Sequence, residues 1–269
     1  MLSKNEKQYS WNAEDYAKNS SAQQEWAREL ITKLKLKGHE SVLDIGCGDG
    51  KTTAEIAGHL SDGRIIGIDN SKDMVNLSNS SFPKEKYPNL SFMCLDARDL
   101  IFEERFHVIF SNAVLHWVKD HNPVLAGIRK GLKKNGRILL QMGGKGNAEA
   151  IVSTLETILS ENKWHGYFPG FHFPYRFHDK DEYKKLLDEN GLTPLRVELI
   201  PKLMSYDNKK GLAGWLRTTW LPYTERVPDS LREDFVNWIV DKYVERHPLD
   251  KEGKVHVNMV RLEVEATKN

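Results

Sequence analysis

The fold of this chain depends on the stretch Val42-Leu43-Asp44-Ile45-Gly46-Cys47-Gly48-Asp49-Gly50. Its first four residues form a mostly apolar, β-branched run that is too short for a buried helix and predicts a buried strand. Glycines at every second position then permit positive φ angles and leave no Cβ between the backbone and a ligand. A helix-compatible segment begins at Lys51. A glycine-rich turn between a strand and the N-terminus of a helix is typical of a binding site for a nucleotide-like ligand.

The same pattern of an apolar strand followed by a helix recurs along the chain. Strands are predicted at 42–45, 64–69, 90–95, 106–110, 137–142, 195–200 and 255–266. Helices are predicted at 22–36, 51–60, around 74–77, at 115–132 with a break near Pro123, and at 148–159, 181–190, 209–220 and 228–246. The crossovers between the first five strands are long enough for parallel pairing, so the chain is predicted to be an α/β protein with a doubly wound sheet.

The regular alternation is lost after Gly143-Gly144, where a loop between Trp164 and Tyr175 is rich in aromatic residues. This loop is either a lid or a rigid satellite core. We divide the chain into three segments on this basis. They are an N-terminal helical lid at 1–36, a ligand-binding core at 37–146 and a C-terminal half at 147–269 that completes the sheet, with substrate-cap insertions at about 147–178 and 208–246.

Composition and charge argue against several classes of partner. The formal net charge is +1, from 39 Lys and Arg against 38 Asp and Glu. Proteins that bind nucleic acid usually carry a basic stripe, so we expect no nucleic-acid partner. The chain does not open with a charged-then-apolar leader, and its apolar runs stay well below the roughly 18 residues of a membrane span. We therefore expect a cytoplasmic monomer or homodimer that does not bind membranes.

Cysteine and histidine positions favour a reduced protein without a metal site. Two cysteines, Cys47 and Cys94, cannot form a disulfide framework and suit a reducing cytoplasm. Cys47 is interpreted as a small residue in a tight turn, since nothing nearby in the sequence would activate its thiolate. His165, His172 and His178 lack the helical spacing of metal ligands, so no metal is predicted.

The spacing of the glycines decides between two classes of ligand. A dinucleotide-binding turn follows the pattern G-x-G-x-x-G, but Lys51 occupies the place of its third glycine. Asp44, two residues before Gly46, suits an ammonium group better than a pyrophosphate. Asp69 ends the second strand about twenty residues beyond the turn, where an acid in a βαβ unit contacts a ribose diol; its alternative role is to cap the next helix. These features disfavour a nicotinamide-dependent oxidoreductase.

The pattern D-x-G-x-G-x-G at 44–50, with acids at the ends of the second and third strands, resembles that of class I S-adenosylmethionine-dependent methyltransferases. The resemblance covers nearly the whole chain. It implies a Rossmann-like, seven-stranded, mostly parallel sheet with helical cap insertions, and S-adenosyl-L-methionine as the cofactor. The implied cofactor-binding residues are Asp44, Gly46, Gly48, Gly50 and Asn112 near the methionine part, Asp69 at the ribose hydroxyls, Asp96 with Ala97 at the adenine, and in addition Asn70 and Trp11. Asp96 has the alternative role of an acid that stabilises a turn.

Four further segments give a closer likeness. Trp11–Tyr16, Asn112–Trp117 and Gln141-Met142 are similar to segments of trans-aconitate methyltransferase and its relatives, and Trp220–Pro228 is similar to a segment of the insect juvenile-hormone-acid methyltransferases. Both groups esterify carboxylates. The resemblance therefore implies O-methylation of a carboxylate on a small molecule, with an organic acid as the methyl acceptor.

The nucleophile decides whether the reaction needs a base. A carboxylate, with a pKa of roughly 4, is ionised at neutral pH and needs none, whereas an alcohol or an amine benefits from one. His116 is the only plausible base among the core motifs, which favours a carboxylate acceptor. The catalytic candidates are His116, Gln141 and Arg217, and the candidates for a clamp on the acceptor are Arg217, Arg176 and Gln141. The alternatives are a methyltransferase that acts on a nitrogen or hydroxyl group of a small molecule, and a catalytically silent cofactor-binding regulator.

Overall fold

The computed structural model describes the backbone of residues 21–269 and the side chains of residues 26–269. The described chain divides into two compact units. The sheet unit comprises Ser21–Ala148, Pro174–Leu203 and Asn258–Asn269, and the helical unit comprises Glu149–Phe173 and Met204–Val257. Trp11 and most of the predicted lid at 1–36 lie outside the described residues. The roles of lid and substrate cap stay predictions.

Seven strands form one sheet, as predicted. They are β1 (Ser41–Ile45), β2 (Arg64–Asp69), β3 (Leu90–Cys94), β4 (Phe106–Asn112), β5 (Leu132–Gly143), β6 (Thr193–Tyr206) and β7 (Val255–Thr267). Their order is β3-β2-β1-β4-β5-β7-β6. The pairs among β1 to β5 are parallel, whereas β7 runs antiparallel to β5. This arrangement confirms the mostly parallel, Rossmann-like α/β fold.

The strand order also places the ligand crevice. From β1 the chain moves outward to β2 and β3, and it then returns to β4 on the other side of β1. In an open parallel sheet, ligands bind at the carboxyl ends of the strands where the direction of winding switches. The glycine turn after β1 and the segment after β4 both lie at this edge.

Helices cover both faces of the sheet because each presents an apolar stripe to it. The helices of the sheet unit are α1 (Ser21–Leu34), α2 (Lys51–Ala57), α3 (Lys72–Ser81), α4 (Asn122–Gly131) and α6 (Lys180–Glu189). One core layer includes Leu30, Leu34 and Ile56. The other includes Val124 and Leu187. The bounds lie within a few residues of those predicted.

Three predicted segments differ from the structure. β5 begins at Leu132 and not at Arg137, and the other two differ for identifiable reasons. The helical pattern at 115–132 divides into a 3₁₀ turn at Leu115–Trp117 and α4, because Pro123 fits only in the first turn of a helix. β6 is 14 residues long and contains two prolines, Pro194 and Pro201. It lies at the edge of the sheet, where a missing N–H does not break a ladder on both sides.

The helical unit has its own aromatic core. Its helices are α5 (Glu149–Leu159), α7 (Lys209–Thr219), α8 (Leu221–Thr224) and α9 (Asp229–Arg246). Trp164 is fully buried and its ring packs edge-on against Phe235 at 4.9 Å, while Phe171 and Tyr223 lie 4.6 Å apart. The aromatic loop therefore supplies core contacts as far as Phe171. Across the described helices, none has both the length and the apolarity required to cross a membrane.

Candidate functional site

The turn after β1 needs glycine at two positions for steric reasons. Gly46 has a φ of +77°, and a Cβ there would lie 2.2 Å from Val114 Cγ2. Gly50 has a φ of +80°, and its Cβ would meet Phe92 and Ser78. Left-handed backbone and close neighbours together exclude larger residues. The amide of Gly46 donates to the carbonyl oxygen of Ile68 at 2.7 Å, which ties the turn to β2.

Gly48 is different because its Cα faces open space. A Cβ there would have no heavy atom within 4 Å among the described residues. The amide of Gly48 donates to Asp69 Oδ2 at 3.1 Å, and its carbonyl accepts from Ser78 Oγ at 2.8 Å. The turn is thus held from below and open above, which is the shape that a bound cofactor requires.

Asp44 is a buried carboxylate beneath this turn. It is 2 % exposed, and Thr53 Oγ1 donates a hydrogen bond to its Oδ2. Burial raises the pKa of Asp44 to about 7, with a smaller contribution in the same direction from Asp69 and an opposing one from Thr53. A carboxylate that has lost its hydration in this way favours a cation beside it. Asp44 therefore fits the ammonium group of S-adenosylmethionine.

Asp69 organises the turn and does not cap the helix after it. Its Oδ1 accepts from the amide of Ser71 at 2.8 Å, and its Oδ2 accepts from Gly48. Ser71 caps α3, since its side chain accepts from the amide of Met74. The alternative that Asp69 caps α3 is therefore wrong. Burial raises the pKa of Asp69, and the two backbone hydrogen bonds oppose this.

Asp96 lies beside Asn70 at the carboxyl ends of β2 and β3. Its side chain caps the 3₁₀ turn that begins at Ala97 and also pairs with the guanidinium of Arg98 at 2.9 Å. Burial alone would raise the pKa of Asp96, but hydrogen bonds from Arg98, and one from Asn70, hold it below its usual value. The structure thus places Asn70 beside Asp96 and Ala97, the two residues predicted at the adenine, and Asp96 also stabilises a turn.

The segment after β4 carries Asn112 and the catalytic candidate His116. Asn112 ends β4 in register with Gln141 of β5. The His116 ring lies 6.0 Å from Trp117, 5.9 Å from Tyr175 and 6.1 Å from Phe177, measured between ring centroids. This aromatic enclosure, formed by Trp117, Tyr175 and Phe177, shields the imidazole of His116 from water.

The surroundings of His116 lower the pKa of its imidazole. Burial, followed by the positive charge of Arg261 and then His121, holds the pKa of His116 well below its usual value. The amide of Gly143 lies 3.5 Å from His116 Nδ1, which suits an unprotonated nitrogen. His116 is therefore neutral at physiological pH and a weak base.

Gln141 belongs to a buried polar network. Its Nε2 donates to Glu263 Oε2 at 3.0 Å, and Glu263 is fully buried. Lys33 and Arg196 also pair with Glu263. Gln141 Oε1 is buried without a hydrogen-bond partner in the described part of the chain. The amide nitrogen is thus committed to Glu263, whereas the amide oxygen can still accept a hydrogen bond.

The candidates for a clamp on the acceptor belong to different units of the chain. Arg217 is on α7 in the helical unit, whereas His116 and Gln141 belong to the sheet unit. Arg176 is about half exposed and pairs with Glu182.

Within residues 26–269, no group of three or more His, Cys, Asp or Glu side chains could hold a metal ion.

Two residues at this site were missed from the sequence. Thr53, in the first turn of α2, has a recognisable signal, because its hydroxyl lies one helical turn beyond a glycine loop that follows an acid. Arg261 has no local signal. It is 4 % exposed, faces Gly143 across the β5–β7 pair and lies over the Trp26 ring at 5.7 Å.

Comparison with known proteins identifies the family. A family model described as a methyltransferase domain matches residues 36–191. The chain is 31% identical over 242 residues to an uncharacterised methyltransferase of Schizosaccharomyces pombe, with 84% of this chain and 88% of that protein covered. It is 25% identical over 258 residues to trans-aconitate 2-methyltransferase of an Enterobacter species, with 94% and 96% covered.

A solved structure agrees at the level of the fold. The YcgJ protein of Bacillus subtilis is 19% identical with a TM-score of 0.61, covering 91% of this chain and 99% of that one. Together with the family match, this agreement extends over the strands that carry Asp44, Asp69 and Asn112. The chain therefore belongs to the methyltransferase-domain family, and it is a class I methyltransferase of the trans-aconitate methyltransferase-like group that uses S-adenosylmethionine as its cofactor.

Proposed function

We propose that this enzyme methylates a carboxylate oxygen of a small organic acid. The observation that carries the proposal is the packing of His116 against Trp117, Tyr175 and Phe177, a buried setting that holds the pKa of His116 well below its usual value. A general base works best when its pKa lies near the working pH. His116 is therefore poorly suited to remove a proton from an alcohol or an ammonium group, and a carboxylate has no such proton to remove.

The relatives support the same class of acceptor. The Enterobacter relative is named for trans-aconitate, which is a carboxylic acid, and further trans-aconitate 2-methyltransferases match over nearly the whole chain. The likeness extends beyond the cofactor-binding half, since it covers 94% of this chain. An acceptor of related chemistry is therefore the simplest expectation.

The residues of the sheet unit divide the work of binding. When bound, S-adenosylmethionine supplies a sulfonium methyl group that is already activated for displacement. Asp44 would balance the charge of the ammonium group, and Asp69 would accept hydrogen bonds from the ribose hydroxyls. Asn70, Asp96 and Ala97 would hold the adenine, with Asn112 and Gly46–Gly50 beside the methionine part. The protein's remaining task is to position the acceptor and to exclude water.

The aromatic enclosure of His116 suits this task. Trp117 and Tyr175 pack edge to face at 4.8 Å, and Tyr175 is stacked on Phe177 at 5.7 Å. Apolar rings of this kind remove water from a carboxylate nucleophile, and a dehydrated anion is more reactive toward a methyl cation donor. His116 would contribute a hydrogen bond to the acceptor and not a proton transfer.

The test is a cofactor-consumption assay with a panel of acceptors. Small di- and tricarboxylates and fatty acids are compared with phenols and amines, and the products are identified by mass spectrometry. We expect methyl esters from one or more acids, at a rate that, with saturating cofactor, does not depend on an ionisation near pH 7. Methylation restricted to phenols or amines would overturn the proposal.

A further inference from the structure

We propose that Arg261 is the residue that binds the carboxylate of the methyl acceptor. The inference rests on the proposed function, because it assigns the cationic group that an anionic acceptor needs. It departs from the sequence-based candidates Arg217, Arg176 and Gln141.

The register of the sheet puts Arg261 at the carboxyl end of β5. β7 runs antiparallel to β5, and Arg261 is the partner of Gly143, the last residue of β5. The amide of Gly143 lies 3.5 Å from His116 Nδ1. Arg261 therefore shares one corner of the sheet edge with the residues that follow β4.

The side chain of Arg261 is buried beside an aromatic ring. Only 4 % of the residue is exposed, and the guanidinium lies over the indole of Trp26 at 5.7 Å from the ring centroid. An arginine keeps its charge even when it is buried. Because the guanidinium is shielded from water, its charge acts more strongly on a nearby anion than it would in water.

The positive charge of Arg261 acts on the catalytic candidate His116. After burial, its charge is the largest cause of the lowered pKa of His116. A positive charge that disfavours a protonated His116 favours an anion at the same place. A guanidinium also binds a carboxylate through two parallel hydrogen bonds, which orients one oxygen as well as attracting it.

Other cations of the sheet unit fit this role less well. Arg176 is about half exposed and pairs with Glu182. Arg196 lies in the network of Glu263 and Glu265, and its charge is not among those that lower the pKa of His116. Arg261 combines deeper burial with proximity to His116, and these two properties are what acceptor recognition requires.

The test measures binding and turnover in Arg261→Met and Arg261→Lys. Binding of trans-aconitate, benzoate and decanoate, and of their uncharged amides, is measured calorimetrically on protein loaded with S-adenosylhomocysteine. Arg129→Gln is the matched control, because Arg129 is an exposed arginine of α4 that contacts the carbonyl of Gly191. Affinity for S-adenosylhomocysteine, measured first, reports whether each variant is folded.

We expect at least one acid to bind the wild type. Its Kd should rise about 10- to 100-fold in Arg261→Met, as for loss of a charge-assisted hydrogen-bonded pair. Arg261→Lys should fall between the two, Arg129→Gln should match the wild type, and the amides should be insensitive to all three substitutions. Should Arg261→Met fail to fold, the rise in Kd with Arg261→Lys decides the matter.

Three results would overturn the assignment of Arg261: unchanged acid affinity in a folded Arg261 variant, equal wild-type affinity for acids and amides, or no acid binding at all. The proposed function fails separately. If the wild type binds an acid through Arg261 but never forms its ester, the proposed reaction is wrong and the binding role stands. If Arg261→Met forms the ester with an unchanged KM, the binding role is wrong and the reaction stands.

Discussion

The hydroxyl of Thr53 donates a hydrogen bond of 2.6 Å to the carboxylate of Asp44, and both side chains are buried beneath the glycine turn. Thr53 stabilises the ionised form of Asp44, but burial outweighs it and the pKa of Asp44 is about 7. In the absence of a cation, Asp44 thus changes charge across the physiological range.

Cofactor affinity should depend on the ionisation of Asp44. Only the carboxylate form attracts an ammonium group, so affinity for S-adenosylhomocysteine should rise with pH through about 7. Below that pH it should weaken by up to about tenfold per pH unit. Calorimetry at pH 6.5 in buffers of different ionisation enthalpy should record release of a proton on binding. Equal heats in all buffers would mean that Asp44 is already ionised.

The stability of the cofactor-free protein should change with pH in the opposite direction to cofactor affinity. Since the pKa of Asp44 is higher in the folded protein than in the unfolded chain, stability should fall as the pH rises from about 4 to 7. Asp44→Asn should remove this loss and raise the free energy of unfolding by roughly 2–4 kcal/mol at pH 8, with little change near pH 4. Urea unfolding at both pH values checks this, and the variant should also bind the cofactor more weakly.

Gly46→Ala and Gly48→Ala should fail in different ways. The Cβ of the first would lie 2.2 Å from Val114, so the variant should lose about 1–3 kcal/mol of stability. The Cβ of the second would enter open space, so Gly48→Ala should fold with only about 1–2 kcal/mol of backbone strain but bind the cofactor weakly. Thermal unfolding and calorimetry separate the two effects. Adding Val114→Ala to Gly46→Ala should restore part of the stability, and no recovery would refute the steric explanation.

His116→Gln should lower turnover without changing its pH profile. A histidine with so low a pKa does not titrate between pH 6 and 9, so its loss removes a hydrogen bond and packing only. We expect kcat for an acid acceptor to fall by less than about tenfold. The check is kcat/KM measured at half-unit steps from pH 6 to 9. An ionisation near pH 7 in the wild type that disappears in this variant would assign His116 as a base and point to an alcohol or amine acceptor.

Much of the fold could be predicted because its signals are local. β2 has the predicted bounds Arg64–Asp69, and α9 differs from its predicted range by one residue. Hydrophobic periodicity reports which side of an element is buried, and this does not require knowledge of its neighbours. The predicted length of β6 was wrong because the edge position that tolerates Pro201 is a property of the whole sheet.

The part of the cofactor site that lies close together in the chain was also predictable. Asp44, Asp69 and the glycines between them lie within one βαβ unit, so their spacing along the chain already carries their geometry. Gln141 shows where such inference ends. The sequence suggests its side chain as a clamp on the methyl acceptor, but in the structure its amide nitrogen donates to Glu263, which lies 122 residues further along the chain.

The sequence by itself determined the α/β fold and the turn that begins at Gly46, because each is encoded by spacing over a few tens of residues, and its resemblance to class I methyltransferases implied the cofactor. Tertiary structure decided which residues share the edge of the sheet with that turn. The antiparallel return of β7 places Arg261 opposite Gly143, and burial, with the charge of Arg261, holds the pKa of His116 well below its usual value. The physical reason is that register and burial depend on strands far apart in the chain, and burial in turn sets the charge of a side chain.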